Sequence, residues 1–313
     1  LRYLRAVGKT SVLPSNISRN VSIVYTPLNG TGISCVPQCL KRNGFTNIVI
    51  PDEQKNPDGN FPTCPYPNPE VREALTVGLD WAEHTKSDLL LATDPDCDRV
   101  GAAVRSGNDY VLINGNEMGA LLLDFICKMR LENKTMPQDP VAVKTIVTTP
   151  MAAKIAAHYG VQIIDVLTGF KFIGEQIGLL EQKGETDRYI FGFEESYGYL
   201  SGSYVRDKDA VNASLLICEL FAYYKAQDKS LLDVLMELYQ QYGFYESCLL
   251  SFAFEGASGF AKMQAFMEDL RKNSIRELAG YTVKKVIDYQ SDATGLPKSN
   301  VLRFLLNGGG EAV

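Results

Sequence analysis

Ala92-Thr93-Asp94-Pro95-Asp96-Cys97-Asp98-Arg99-Val100-Gly101 sets three carboxylates at alternate positions directly after an apolar run that ends at Ala92. The run has the length of a buried strand, so Asp94, Asp96 and Asp98 fall where a strand gives way to a loop. Loops at the carboxyl ends of parallel strands are held by the sheet yet open to solvent, and ligands of open α/β sheets collect there. Three acids this close repel one another unless a cation lies among them. Mg²⁺ takes hard oxygen ligands and keeps places for water or a substrate phosphate. Arg99 adds a planar donor fork suited to phosphate. The plain alternative is a turn in which Asp caps backbone N–H groups and Pro95 fixes φ. An EF-hand calcium loop would need Gly at its sixth place and Glu at its twelfth. Those places hold Arg99 and Arg105, which excludes it.

The 313 residues are 45% hydrophobic and 22% charged, which suits a globular chain of two or three domains. A net charge of −6 argues against a nucleic-acid binder. No apolar run reaches membrane-spanning length, so no membrane partner is expected. The seven cysteines are scattered without a C-x-x-C pair, as expected of reduced thiols in the cytoplasm. Cys97 lies between acids, which disfavours its thiolate.

The order of patterns predicts an α/β fold: two consecutive α/β domains with mainly parallel sheets flanked by helices, and a truncated α+β unit at the C-terminus. Residues 1–18 read as a linker or the tail of a preceding domain. The first domain, 19–113, carries strands at 21–25 and 46–50, helices at 33–43 and 70–85, and a hairpin of 100–104 with 110–113. The turn Thr26-Pro27-Leu28-Asn29-Gly30-Thr31-Gly32 fits a plain βα loop or a phosphate contact equally. The second domain, 114–242, ends its strand at 189–193 in Glu194-Glu195-Ser196-Tyr197-Gly198. Residues 243–313 would hold a strand at 249–254, a helix at 257–272 and a strand at 281–288.

Glu194 and Ser196 suit neighbouring sugar hydroxyls, because a carboxylate accepts from two OH groups and a hydroxyl can donate or accept. A helix N-terminus with acids and a serine cap explains the same residues equally well. Lys171 and Lys208, in loops beyond strands, are candidates for phosphate binding or proton transfer. His84 and His158 fall late in helices and fit C-terminal turns.

Four ordered segments carry a resemblance: Thr93-Asp94-Pro95-Asp96-Cys97-Asp98-Arg99, Thr168-Gly169-Phe170-Lys171-Phe172-Ile173-Gly174, Gly192-Phe193-Glu194-Glu195-Ser196-Tyr197-Gly198, and Arg206-Asp207-Lys208-Asp209-Ala210. Together they resemble the α-D-phosphohexomutases, the phosphoglucomutase and phosphomannomutase family, over the second and third of its four domains and the start of the fourth. The resemblance implies that Asp94, Asp96 and Asp98 ligate Mg²⁺ and that Arg99 holds the transferring phosphoryl group. It implies that Glu194, Ser196, Thr168 and Gly169 bind a hexose or pentose phosphate, and that Lys208, with Lys171 nearby, is the acid or base. It also implies a phosphoserine donor and glucose 1,6-bisphosphate as activator and intermediate.

The family's Thr-Ala-Ser-His-Asn-Pro and Arg-Pro-Ser-Gly-Thr-Glu-Pro loops are absent from the sequence. The chain is therefore expected to be a mutase fragment, inactive alone. Two rivals remain. In a haloacid-dehalogenase-type phosphatase Asp94 would attack phosphate with Asp96 as the acid, although Asp98 departs from that pattern. In a non-catalytic phosphosugar-binding module the same residues would bind without turnover.

Overall fold

A computed structural model describes residues 2–250, 252–273 and 275–313. The chain forms two compact units, 1–246 and 247–313. Helix α1 (Arg2–Gly8) precedes the first sheet, built from β1 (Ile23–Thr26), β2 (Ile48–Val49), β3 (Leu89–Thr93), β4 (Val100–Ser106) and β5 (Asp109–Ile113). Helices α2 (Val36–Arg42), α3 (Asp52–Lys55) and α4 (Thr76–Thr85) lie between these strands in the chain. After α5 (Gly115–Glu132) comes the second sheet: β6 (Val141–Thr145), β7 (Gln162–Val166), β8 (Tyr189–Phe193) and β9 (Tyr199–Leu200). Its helices are α6 (Met151–His158), α7 (Phe170–Gln182), α8 (Ala210–Lys225) and α9 (Leu231–Tyr242).

The first sheet runs β2-β1-β3-β4-β5 and the second β7-β6-β8-β9. In each, the first three strands are parallel and the chain then doubles back antiparallel. The two sheets share one topology without a residue-level repeat between them, because buried strand positions accept any apolar residue of suitable size. The fully buried burial pattern of β3 and β8 explains their continuous apolar runs. Helix α8 is apolar nearly all round because it is buried between other elements, packing on α2, α5, β4 and β9. One core therefore joins both sheets, from Ile23 and Val36 through Leu216 to Phe193.

Helix α1 belongs to this unit: Leu4 and Val7 are buried in the same core. The helix expected over 33–43 begins as a 3₁₀ turn, Thr31–Ser34, and becomes α-helical only at Val36, with Pro37 in the first turn where its missing N–H costs nothing. The helix expected from Glu70 starts at the 3₁₀ turn Arg72–Leu75, which leaves Glu70 in the preceding loop. His84 and His158 occupy last helical turns, as expected.

The unit 247–313 contains α10 (Gly256–Lys272) and an antiparallel sheet of β10 (Glu277–Leu278), β11 (Tyr281–Asp288), β12 (Leu302–Leu306) and β13 (Glu311–Ala312), in that order. Of the strand expected over 249–254, residue 251 lies outside the described residues and the others are not in a strand. No helix among the described residues is long and apolar enough to cross a membrane.

Candidate active site

Both polar loops are hairpin turns at the same place in the repeated topology. Thr93 pairs with Val100, so residues 94–99 connect β3 to β4. Phe193 pairs with Tyr199, so residues 194–198 connect β8 to β9. This removes the helix-capping alternative for Glu194 and Ser196. The two turns join directly: Arg99 and Gly198 form an antiparallel bridge, and the Val100 N–H donates to the Tyr197 carbonyl at 3.1 Å.

Asp94 organises its own loop. Its Oδ1 accepts the backbone N–H groups of Asp98 at 3.0 Å and Arg99 at 2.9 Å. One oxygen from each of Asp94, Asp96 and Asp98 lies within 4.8 Å of the others. Asp94 is buried, Asp98 half-buried and Asp96 exposed. Burial pushes the Asp94 carboxyl up to about 7, and the neighbouring Asp98 and Asp96 charges add to this against the Arg99 backbone hydrogen bond. Burial also raises the Cys97 thiol, which is no thiolate nucleophile.

The glycine-bearing turn after β1 seats this loop. The Thr31 N–H donates to the Pro95 carbonyl at 2.8 Å, and a Cβ on Gly30 would run into Pro95. Close backbone approach is the structural reason for a glycine here.

Lys208 reaches across from the second sheet's loops and hydrogen-bonds Asp98 Oδ2. Burial works to lower the Lys208 ammonium, but Asp98 more than offsets it and the net shift is upward. The loop is pinned by Asp209, which caps α8 through the N–H groups of Val211 and Asn212 and accepts the hydroxyls of Tyr3 and Tyr204, both at 2.7 Å. Glu194 is buried, its Oε1 accepting the Gly169 N–H at 2.9 Å. Burial raises its carboxyl, partly countered by that hydrogen bond. Ser196 is half-buried and Thr168 exposed. Lys171 sits in the first turn of α7 with its ammonium 5.0 Å from the Phe172 ring centroid, and among the described residues it forms no ion pair.

Sequence reasoning missed two residues here. Glu70 accepts from Arg99 Nη1 at 3.3 Å. Glu195 Oε2 accepts the hydroxyls of Thr145 at 3.0 Å and Thr148 at 3.2 Å. Neither had a legible signal: Glu70 reads as part of a helix start, and the Glu194-Glu195-Ser196 run fits a helix N-terminus as well as a binding loop.

Family models for phosphoglucomutase/phosphomannomutase α/β/α domains II and III match residues 1–107 and 114–242. The chain belongs to the phosphoglucomutase/phosphomannomutase family. It is 36% identical over 302 residues to a Staphylococcus aureus phosphoglucomutase, a match covering 93% of this chain and 53% of that protein. With the Staphylococcus saprophyticus phosphoglucomutase it shares 34% over 315 residues, covering 96% and 56%. The chain thus spans about half the length of the curated relatives it matches. Its fold resembles that of a Thermus thermophilus protein described as a candidate phosphomannomutase, with a TM-score of 0.65, 22% identity, and coverage of 98% of this chain and 57% of that one. It also resembles the open form of parafusin, a Paramecium phosphoglucomutase, with a TM-score of 0.61, 18% identity, and coverage of 99% and 53%.

Proposed function

We propose that residues 1–246 form the metal- and sugar-binding part of a phosphohexomutase, in which a phosphoryl group passes between the C1 and C6 oxygens of a hexose phosphate by way of a phosphoserine and a bisphosphorylated sugar. The observation that carries this reading is the junction of the two turns at Arg99 and Gly198, which sets an acidic loop beside a loop of sugar-binding chemistry. The donor set fits Mg²⁺: all three side chains offer oxygen, and Asp98 Oδ1 is buried without a hydrogen-bond partner. Asp94, Asp96 and Asp98 would hold the ion, which when bound draws charge from the phosphoryl oxygens.

Arg99 and Lys208 supply the remaining positive charge around the phosphoryl group. Because Asp98 holds Lys208 protonated, Lys208 acts first as a proton donor. Glu194 Oε2 and the Ser196 hydroxyl take sugar hydroxyls, with Thr168 and Gly169 along the same edge and Lys171 toward the phosphate that is not transferred. Glucose 1,6-bisphosphate is the activator. Free cysteines at all seven positions suit a cytoplasmic location. The phosphatase alternative fits less well, because a nucleophile needs an ionised oxygen, and burial with the neighbouring Asp98 and Asp96 charges disfavours the ionised form of Asp94.

Phosphorus NMR of the chain with Mg²⁺, glucose 1-phosphate and a trace of glucose 1,6-bisphosphate tests the assignment. Shifted and broadened substrate signals without conversion are expected, since the sequence holds no Thr-Ala-Ser-His-Asn-Pro loop. Released inorganic phosphate would establish the phosphatase instead, and unperturbed signals would remove the sugar site. Glu194→Gln is expected to weaken glucose 1-phosphate binding about tenfold while inorganic phosphate binds as before, measured by calorimetry.

Proton competition provides a further check. With the Asp94 acid near about 7, the metal-free carboxyl is about half protonated at neutrality, and Mg²⁺ requires it ionised. Mg²⁺ affinity should therefore be constant above about pH 8 and fall about tenfold per pH unit below the Asp94 titration. Titration calorimetry in buffers of different ionisation enthalpy would register the released proton. An affinity flat between about pH 8 and 5.5 would remove Asp94 from the ligand set.

A further inference from the structure

We propose that Glu70 is a positioning residue that holds the Arg99 guanidinium off the acidic loop and so keeps Asp94 Oδ2 and Asp98 Oδ1 open to a divalent cation. This rests on the reading that those aspartates bind metal. Arg99 stands among three carboxylates at unequal distances. Its Nη1 donates to Glu70 Oε1 at 3.3 Å, while its Nε lies 3.8 Å from both Asp94 Oδ2 and Asp98 Oδ1. Arg99 Nε and Asp98 Oδ1 are both buried and have no hydrogen-bond partner. The fork is therefore engaged at its Glu70 end and stops just short of the oxygens a cation needs.

An unrestrained guanidinium would close that gap, because charge-assisted arginine–carboxylate hydrogen bonds are strong and a carboxylate presents two acceptors in matching geometry. Once occupied by Arg99, those oxygens would have to be freed before a metal could bind. Glu70 supplies the opposing pull from outside the loop.

The position of Glu70 is set by its own surroundings. Its N–H donates to Asn68 Oδ1 at 3.0 Å and the Val71 N–H to the Asn68 carbonyl at 3.0 Å, closing a tight turn. Pro69 lies flush on Gly101, where a Cβ would stand 2.8 Å from the Pro69 carbonyl oxygen. The turn is thus seated on β4 two residues beyond Arg99 itself, which explains why a strand residue there lacks a side chain. Burial of Glu70 raises its carboxyl, a tendency that Arg99 opposes by favouring the ionised pair.

Mg²⁺ titration calorimetry on the full chain tests this with Glu70→Gln, Glu70→Asp, Arg99→Met and the double variant Glu70→Gln/Arg99→Met. Glu70→Gln is expected to weaken Mg²⁺ binding about tenfold, within the range found when a partner of a metal ligand is lost. Glu70→Asp keeps the charge but shortens the reach, and should lose affinity part-way. Arg99→Met should tighten binding, and Glu70→Gln should then have no further effect, since its influence passes through Arg99. Equal affinity in Glu70→Gln and the parent overturns the proposal. So does a Glu70→Gln loss that persists beside Arg99→Met, which would mean that the Glu70 charge acts on the cation through space. A parent chain that takes up no Mg²⁺ defeats the metal reading itself, an outcome distinct from both.

Discussion

Asp94→Asn is expected to abolish Mg²⁺ binding while leaving the metal-free fold at least as stable as the parent. The two halves of this expectation come from the two oxygens of one side chain. Oδ1 is a structural acceptor for the Asp98 and Arg99 N–H groups, and an asparagine carbonyl in the same place can accept both. Oδ2 is left for a cation, and there an amide is a poor substitute for a carboxylate. In the metal-free chain the negative charge is a burden, because burial and the adjacent Asp98 and Asp96 charges disfavour it. Neutralising it therefore relieves strain at neutral pH. Mg²⁺ at 100 times its dissociation constant should stabilise the parent by about 2.7 kcal/mol, or about 5–10 °C in melting temperature for a unit of this size. Asp94→Asn should show no such rise and at least about a 100-fold loss in affinity. Asp94→Ala removes the acceptor too, leaving two backbone donors short of a partner, and should cost about 2–4 kcal/mol without metal. Differential scanning calorimetry with and without Mg²⁺ separates the three chains. A Mg²⁺-dependent rise in Asp94→Asn equal to the parent's would show that the ion binds elsewhere.

The acidic loop was legible because two independent patterns coincide there: an apolar run of strand length and charges that cannot sit side by side without compensation. Its closure as a hairpin was not. Whether residues 100–106 pair back onto β3 is decided by register against the whole sheet, which local alternation does not encode. The same limit hid the order of the strands within each sheet and the contact of Arg99 with Gly198, which are distant in sequence and joined through the backbone. Glu70 was misassigned to a helix because an acid followed by apolar periodicity is a helix-start signal. The competing turn at Asn68 and the docking of Pro69 on Gly101 prevailed. Lys208 could be named from its motif, but its partner Asp98, 110 residues away, could not. Lys171 shows the converse, a motif lysine whose ammonium rests over Phe172.

Glu219→Ala should destabilise the first unit by about 3–5 kcal/mol, although Glu219 lies outside the proposed site. Glu219 sits in α8 with no exposed surface. It accepts the Ser11 hydroxyl, the Val12 N–H at 2.9 Å and the Leu13 N–H at 3.3 Å. Those donors belong to the segment after α1, which has no strand or helix of its own to satisfy them, so one buried carboxyl provides their hydrogen bonds. Truncation to Ala leaves a cavity and orphans both backbone donors together, while Glu219→Gln keeps the volume and one strong acceptor and should cost under about 1.5 kcal/mol. The comparison has a defined pH dependence. Burial raises the Glu219 carboxyl above its ordinary value, against the pull of the hydrogen bonds it accepts. A raised acid stabilises the fold fully below its unfolded value, and that contribution is lost as pH rises through the folded value. The gap between the parent and Glu219→Gln should therefore be widest near about pH 4 and narrow as pH rises. Urea unfolding of both chains across that range measures it. A gap that widens with pH instead would mean that the ionised carboxylate is the preferred form in the fold, its hydrogen bonds outweighing its burial.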